Sequence, residues 1–175
     1  MKKLMVFCFP LCFLACDNSE IDNTMTYGDI AGTYWEQQVV YRELYENGKL
    51  TDSFKNTFDG QTVGTGGPSV WYFKSEGTLV EYLSHGDREI TIPENSYKLR
   101  SCEYLPDERT FIIHEKSGDE MYVVKKFTPL ELTLVCEEGD EVSCEKRTIV
   151  FTRFYPSDEW KQGVARFPDY DDIDW

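Results

Sequence analysis

Short runs of alternating apolar and polar residues fill the chain between residue 30 and about residue 156. A side-chain period of two predicts β-strands with one buried face, and no stretch of this region shows a convincing helical period. Turn-forming residues interrupt the runs about every ten residues, most clearly in the hairpin sequence Asn47-Gly48. We therefore predict an all-β domain of roughly nine short strands. The segments with a strand pattern, ten if the short run 88–92 is counted, are residues 33–45, 49–58, 70–74, 78–84, 88–92, 96–105, 110–115, 120–127, 130–136 and 144–155.

The connections between the predicted strands are short, which favours consecutive antiparallel hairpins over crossover connections. An up-and-down meander of eight or more strands hides its two edge strands most simply by closing into a barrel. We therefore predict one small antiparallel barrel over residues 30–156. A sandwich of two packed β-sheets is the alternative.

The first 16 residues have the layout of a bacterial export signal. Two lysines precede an apolar run at residues 4–15, which is too short to remain in a membrane as a spanning helix. The run ends in Phe13-Leu14-Ala15-Cys16, which resembles a lipobox with Phe13 where leucine is most common. The resemblance implies that residues 1–15 are a signal peptide and that lipid on Cys16 anchors the protein to a membrane. An ordinary signal peptide cleaved at another position is the alternative.

The segments on either side of the predicted barrel are polar and acidic. Residues 16–29 lack periodicity, and we predict a flexible tether between the lipid and the domain. The acids that follow Cys16 resemble sorting signals of some Gram-negative bacteria, which favours the outer membrane, at its periplasmic face or at the cell surface. Retention in the inner membrane is the alternative, because in other bacteria an aspartate directly after the cysteine, here Asp17, marks it. Residues 157–175 interleave aromatic and acidic side chains, and we predict a tail that is disordered or loosely docked.

The net charge restricts the partners of the exported chain. Removal of the leader, which carries two lysines and no acid, leaves 16 basic and 32 acidic side chains and a formal net charge of −16. A surface this acidic repels phosphate groups, so we predict no binding to nucleic acid. It also repels anionic lipid headgroups, and the lipid chains must therefore supply the attachment to the membrane.

Three cysteines remain in the exported chain besides Cys16, namely Cys102, Cys136 and Cys144. The compartment permits disulfides, and Cys136 and Cys144 flank the predicted turn at residues 137–143. A regular ladder would send these two cysteines to opposite faces of the sheet, whereas a bulge near Gly139 would bring them together. Two alternatives therefore remain: a Cys136–Cys144 disulfide with Cys102 as the spare thiol, or no disulfide.

Several motifs resemble those of lipocalins. The segment Gly32-x-x-Trp35 resembles their opening Gly-x-Trp, although Tyr34 stands where the tryptophan is expected, and a local bulge could turn Trp35 inward. The resemblance implies that Arg153, on the last strand, packs over Trp35 or Tyr34 and closes one end of the barrel. A solvated arginine at a strand end is the alternative. The other motifs that resemble lipocalin-like domains of bacterial lipoproteins are residues 73–78, 124–134 and 151–154.

The resemblance implies a non-catalytic module that binds a small apolar or amphipathic ligand in the mouth of the barrel. The alternative is a barrel filled by its own side chains that binds a protein or glycan partner through its surface. His85 and His114 have no motif partners, and we predict no catalytic residue, metal or cofactor. The residues predicted to line the lumen are Tyr97, Leu99, Phe111, Ile113, Leu130, Leu132, Leu134, Ile149 and Phe151.

Overall fold

A computed structural model describes residues 25–58, 68–83 and 97–158, which form one short helix and nine strands. The predicted signal peptide, Cys16, the predicted strand 88–92 and the acidic tail from residue 159 onward lie outside the described residues. None of the helical residues described belongs to a helix long and apolar enough to cross a membrane. The elements are α1 (Tyr27–Ile30), β1 (Thr33–Glu46), β2 (Lys49–Thr57), β3 (Ser69–Phe73), β4 (Thr78–Leu83), β5 (Tyr97–Leu105), β6 (Thr110–His114), β7 (Glu120–Phe127), β8 (Glu131–Gly139) and β9 (Ser143–Phe154).

The strands form one antiparallel sheet that closes on itself. Each strand from β3 to β8 pairs with the next one along the chain. Because β1 pairs with β3 on one edge and with β9 on the other, β1 and β3–β9 form a closed barrel of eight strands. The predicted up-and-down barrel is confirmed. The sandwich alternative is wrong, since pairing of the first and last strands leaves no two separate sheets to stack.

Strand β1 pairs with two different strands along one of its edges. Its residues 33–36 pair with β3, whereas its residues 39–46 pair with β2 in a hairpin that turns at Asn47-Gly48. Both turn residues have positive φ, as this type of two-residue hairpin requires. A bulge between Gln37 and Val39 marks the change of partner and reverses the alternation of side chains. Trp35 therefore faces the interior before the bulge, and Val40 packs against the core after it.

All eight barrel strands contribute to one apolar core. Burial of each large apolar side chain stabilises the fold by roughly 1.5–3 kcal/mol relative to exposure. A second cluster, on the outer face, packs Val70, Val80 and Tyr82 against Tyr34, Tyr72, Leu99 and Phe154. The main core consists of Met25, Ile30, Trp35, Trp71, Phe73, Leu79, Cys102, Tyr104, Phe111, Ile113, Tyr122, Val124, Leu132, Leu134, Cys136, Ile149 and Phe151.

Helix α1 covers one end of the barrel, which we call the α1 end. Met25, in the predicted tether, and Ile30, the first residue of the predicted barrel, are buried in the main core, so the described end of the tether packs onto the domain. The Asp29 carboxylate accepts hydrogen bonds from the Thr26 backbone N–H at 2.7 Å and from the Thr26 hydroxyl at 2.8 Å. These hydrogen bonds hold the pKa of Asp29 below its usual value. The opposite end of the barrel is called the mouth end below.

Candidate functional site

Charged side chains replace apolar ones on the inner face of the barrel near the mouth end. Arg100 continues the inward alternation of Cys102 on β5, and Arg147 continues that of Ile149 on β9. We call these two arginines and the carboxylates that contact them the mouth cluster. Its members are Glu81, Arg100, Glu115, Glu120, Glu138, Glu145 and Arg147.

One half of the mouth cluster is built around Arg100. Its Nη2 lies 2.7 Å from Oε2 of Glu81, and its Nε lies 2.9 Å from Oε1 of Glu115. The side chains of Arg100 and Glu81 are only 10% and 12% exposed, so this ion pair is withdrawn from water. Withdrawal from water strengthens the attraction between the charges, although it also makes them costly to bury.

Arg147 organises the other half. Its Nη2 contacts Glu138 and lies 3.4 Å from Oε1 of Glu120, and its Nε lies 3.7 Å from Oε1 of Glu145. Burial acts to lower the pKa of Arg147. The surrounding groups, which include Tyr122, Glu138 and Glu120, outweigh burial and hold that pKa above its usual value. Arg147 is therefore a permanent positive charge inside a ring of acids.

Glu120 joins the two halves. Partial burial acts to raise its pKa, but a hydrogen bond from the Tyr122 hydroxyl and the charges of Arg147 and Arg100 outweigh that effect. The pKa of Glu120 is consequently held below its usual value, and the side chain is ionised at neutral pH. Glu120 thus contacts Arg147 directly, and the charge of Arg100 adds a smaller effect of the same sign.

An aromatic layer lies beneath the mouth cluster. The rings of Trp71 and Tyr122 meet edge to face with their centroids 5.6 Å apart, and Trp71 also packs against Phe151 at 4.9 Å. Three strands separate β3 from β7 in either direction around the barrel, so the contact between Trp71 and Tyr122 spans the interior. The Trp71 indole N–H donates to Glu81 at 3.3 Å and thereby links the aromatic layer to the charges.

A buried hydroxyl faces the interior at the same end. Ser69 begins β3, lies two residues before Trp71 on the same face, and is only 4% exposed. Its Oγ has no hydrogen-bond partner within the part of the chain that the structure describes. Its backbone N–H donates to the side-chain oxygen of Gln37 at 3.3 Å. Ser69 therefore places a hydroxyl that no described residue pairs inside the barrel, where such groups are normally paired.

At the α1 end, the Arg153 guanidinium lies over the indole of Trp35, with Cζ 5.2 Å from the ring centroid. Trp35 is fully buried, and its N–H donates to the Thr33 hydroxyl at 2.7 Å. Tyr34, the other aromatic partner considered for Arg153, points outward and stacks on Tyr72 at 4.1 Å. The arginine thus packs against the inward-facing aromatic side chain, where its effect is structural.

The structure contradicts the disulfide between Cys136 and Cys144. Pairing between β8 and β9 runs without a bulge from Glu131 to Gly139, so Cys136 pairs with Arg147 on the inner face. Cys144 pairs with Gly139 and faces the other side of the sheet. Cys102, Cys136 and Cys144 are all free thiols. The regular ladder prevents the bond, because two cysteines on opposite faces cannot bring their sulfur atoms together.

Six of the predicted lumen residues are buried in the main core, but two were placed wrongly. Leu130 is 64% exposed because it lies in the turn before β8 begins. Leu99 packs in the outer cluster because the inner face of β5 carries Arg100 and Cys102 instead. The side chain of Tyr97 lies outside the described part of the chain. The six core residues are Phe111, Ile113, Leu132, Leu134, Ile149 and Phe151.

The sequence predictions missed the mouth cluster altogether. The available signal was the position of Arg147, two residues before the inward Ile149, and of Glu120, two residues before the inward Tyr122. Strand alternation would have placed both charged side chains on the inner face. His114, in contrast, pairs with Asp119 at 2.9 Å in an exposed position. In the described ranges, no group of three histidine, cysteine or acidic side chains is arranged to hold a metal ion.

Comparison with known proteins identifies structural neighbours but no family. No protein-family model and no curated protein matches the chain. The solved structures similar to it include bovine odorant-binding protein in complex with undecanal, at 14% identity and a TM-score of 0.39, over 86% of this chain and 91% of that one. A deswapped triple mutant of the bovine protein matches at 14% identity and a TM-score of 0.38, over 79% and 82%. These neighbours are lipocalins, but the barrel described here is established by the strand pairings of this chain itself.

Proposed function

We propose that this protein is a non-catalytic binding module whose ligand is a small amphipathic molecule held at the mouth end. The polar group of the ligand would lie among the side chains of the mouth cluster, and its apolar part would contact Trp71 and Tyr122. The observation that carries the proposal is the arrangement of partly buried charges, with Arg100 and Glu81 only 10% and 12% exposed, directly above an aromatic layer. A few convergent polar groups beside aromatic side chains are typical of small-molecule sites.

Stability alone does not account for the mouth cluster. Moving charged groups out of water costs several kcal/mol for each ion, and well-packed apolar side chains of similar volume are often at least as stabilising. The rest of the interior is filled with apolar side chains, and Phe73, Leu79 and Phe111 are fully buried. The withdrawal of the Arg100–Glu81 pair from water inside such a barrel, with five further charged side chains around it, therefore supports a binding role.

We further propose that the domain acts in the bacterial envelope, anchored through lipid on Cys16 and facing the periplasm or the cell exterior. The lipobox-like sequence Phe13–Cys16 and the acidic residues after it support this placement. Cys16→Ser should release the protein from membranes, because lipid chains supply the anchor. Unchanged sedimentation of Cys16→Ser with the membrane fraction would refute the anchor.

A second candidate function is a filled barrel that binds a protein or glycan partner through its surface. The contact between Trp71 and Tyr122 across the interior favours it, since these rings occupy the space in which a ligand of a hollow barrel would lie. Exposed apolar side chains on the β1–β2 hairpin also favour it, because Leu50 and Phe54 are 54% and 51% exposed.

Native mass spectrometry separates the two candidates. The full chain carrying Cys16→Ser, purified from the periplasm, should retain a co-purifying small molecule or bind an added amphipathic dye with a change in dye fluorescence. A clean mass without adduct, together with no response of the dye, would refute the ligand-binding function and leave the filled barrel as the better description.

A further inference from the structure

We infer that the ligand of the mouth end is an organic cation, namely a protonated amine attached to a small apolar body. The inference rests on the binding function proposed above and names the chemical class of its ligand. Four features carry it: the charge balance of the mouth cluster, the hydrogen bonds from Trp71 and Tyr122 to carboxylates, the ion pairs that engage both arginines, and the buried hydroxyl of Ser69.

The mouth cluster contains more acids than bases. Five carboxylates surround two guanidinium groups. Arg42, 3.8 Å from Glu145, and Lys98, the register partner of Glu81, add two positive charges at the exposed rim. Among these described residues, one carboxylate still remains in excess. The whole chain carries a formal charge of −14, so the wider field has the same sign. Both the local and the overall charge attract a cation.

The aromatic rings are also prepared for a cation. The Trp71 N–H and the Tyr122 hydroxyl each donate to a carboxylate, Glu81 at 3.3 Å and Glu120 at 2.7 Å. These bonds direct the positive edge of each polar group towards an acid. The ring faces are electron-rich, and ring faces attract ammonium groups. Electron-rich rings held next to carboxylates therefore favour an ammonium group with an apolar body over an anion.

An anionic ligand is disfavoured because the arginines are already engaged. Arg100 contacts two carboxylates, and Arg147 contacts three. An incoming anion would have to displace carboxylates that are part of the barrel and would remain nearby, where they would repel it. A cation, in contrast, adds to the network without breaking any of the existing pairs.

The hydroxyl of Ser69 is an independent indication of a ligand. Ser69 is 4% exposed, faces the interior at the mouth end, and leaves its Oγ without a partner among the described residues. Buried hydroxyl groups are rarely left unpaired, because desolvation without a hydrogen bond is unfavourable. The Ser69 oxygen can accept a hydrogen bond from an ammonium N–H.

Three probes of equal chain length test the inference on the full chain carrying Cys16→Ser. Isothermal titration calorimetry would measure binding of n-octylammonium, n-octyl sulfate and n-octyl glucoside below their micelle-forming concentrations. We expect n-octylammonium to bind at least tenfold more tightly than n-octyl sulfate, because the carboxylates attract one head group and repel the other. The neutral glucoside should show intermediate affinity.

Two variants locate the effect, and a third provides a matched control. Glu120→Gln and Glu138→Gln each remove one inward carboxylate and should weaken n-octylammonium binding about tenfold. Glu137→Gln makes the same change one residue away, on the outer face where Glu137 pairs with Lys146, and should leave binding unchanged. Circular dichroism at the assay temperature would establish that all three variants are folded, and two inward variants keep the test usable if one of them unfolds.

The outcomes distinguish this inference from the function on which it rests. Equal or tighter binding of n-octyl sulfate or n-octyl glucoside would overturn the cation class, while the binding function would stand. Equal weakening by Glu137→Gln and Glu138→Gln would also overturn it, since only long-range charge would then matter. Failure of all three probes to bind, with a clean native mass, would refute the proposed function and the inference together.

Discussion

The free thiols show how the position of a single residue on a strand decides its chemistry. Cys102 and Cys136 are buried at 5% and 1% exposure, whereas Cys144 lies partly exposed on the opposite face of the sheet. Burial is the main cause that raises the pKa of the Cys136 thiol to about 11, and it also raises the pKa of Cys102. A thiol that is both protonated and covered reacts slowly, because the thiolate is the nucleophile.

We therefore predict that the folded Cys16→Ser protein reacts with a maleimide first at Cys144 and much more slowly at Cys102 and Cys136. Peptide mapping by mass spectrometry after a short exposure would identify the labelled residue. Denaturant should make all three thiols equally reactive. A Cys136–Cys144 crosslinked peptide in the untreated, non-reduced sample would contradict both the prediction and the regular β8–β9 ladder.

The turn at Gly139 is a second place where one residue matters. Gly139 has a φ of +119°, and a Cβ there would collide with the carbonyl oxygen of Ser143. Gly118 has a φ of +134°, but an added Cβ would meet nothing within 4 Å. Both positions disfavour a side chain through backbone conformation, whereas only Gly139 adds a collision with backbone atoms.

We predict that Gly139→Ala destabilises the domain by about 2–4 kcal/mol and Gly118→Ala by about 1–2 kcal/mol. Urea unfolding followed by tryptophan fluorescence would measure both free energies of unfolding. The comparison uses Gly118→Ala as the control for backbone conformation. Equal losses in the two variants would mean that the contact with Ser143 is relieved at little cost.

At the scale of elements, the bulge in β1 allows this strand to pair with β2, β3 and β9. Gln37 pairs with Phe151 and Val39 with Val150, so Gln38 is the extra residue in the ladder with β9. The Gln38 carbonyl accepts a hydrogen bond from the Phe58 N–H at 2.8 Å, at the point where β2 takes over from β3. The bulge thus lets β1 belong both to the barrel and to the β1–β2 hairpin. Its inward-facing side chains point into the barrel on both sides of the bulge.

Deletion of Gln38 should therefore be tolerated better than deletion of Tyr41. Without Gln38 the ladder becomes regular, and Val40 keeps its inward position. Without Tyr41, the residues that follow shift by one and turn Arg42 and Leu44 outward, because strand alternation has a period of two. Hydrogen exchange of the β1–β2 amides would test this, with strong protection expected only in the Gln38 deletion. Equal loss of protection would contradict the role assigned to the bulge.

At the scale of the whole molecule, acid should destabilise the domain. The lowered folded-state pKa of Glu120 means that its stabilisation is fully present above the ordinary glutamate pKa, about 4.3. That stabilisation is lost as the pH falls through the lower folded-state pKa, because the unfolded chain binds the proton first. Asp29 and Asp140 have lowered pKa values as well and act in the same direction.

We predict that Glu120→Gln lowers stability at pH 7 and also makes the decline between about pH 5 and pH 3 shallower, since the variant lacks one linked proton. Urea unfolding at a series of pH values would measure the slope. Glu137→Gln, on the outer face of the same sheet, is the matched control. A slope for Glu120→Gln as steep as that of the parent would contradict the linkage.

The sequence by itself determined most of the strands and their antiparallel order. Alternation at residues 120–127 predicted β7 at its observed limits, and short turns such as Asn47-Gly48 imposed the antiparallel order, because both signals are local. Gly32-x-x-Trp35 and Arg153 likewise pointed to the pair at the α1 end.

Only the tertiary structure decided what the interior contains. Whether Cys136 and Cys144 share a face depends on the register between two strands, and the position of Leu99 depends on which face of β5 turns inward. Arg100, Arg147 and Glu120 come from three strands, and no pattern within any one strand shows that they meet. Their proximity depends on barrel closure, which brings distant parts of the chain to one end and creates the charged mouth above Trp71 and Tyr122.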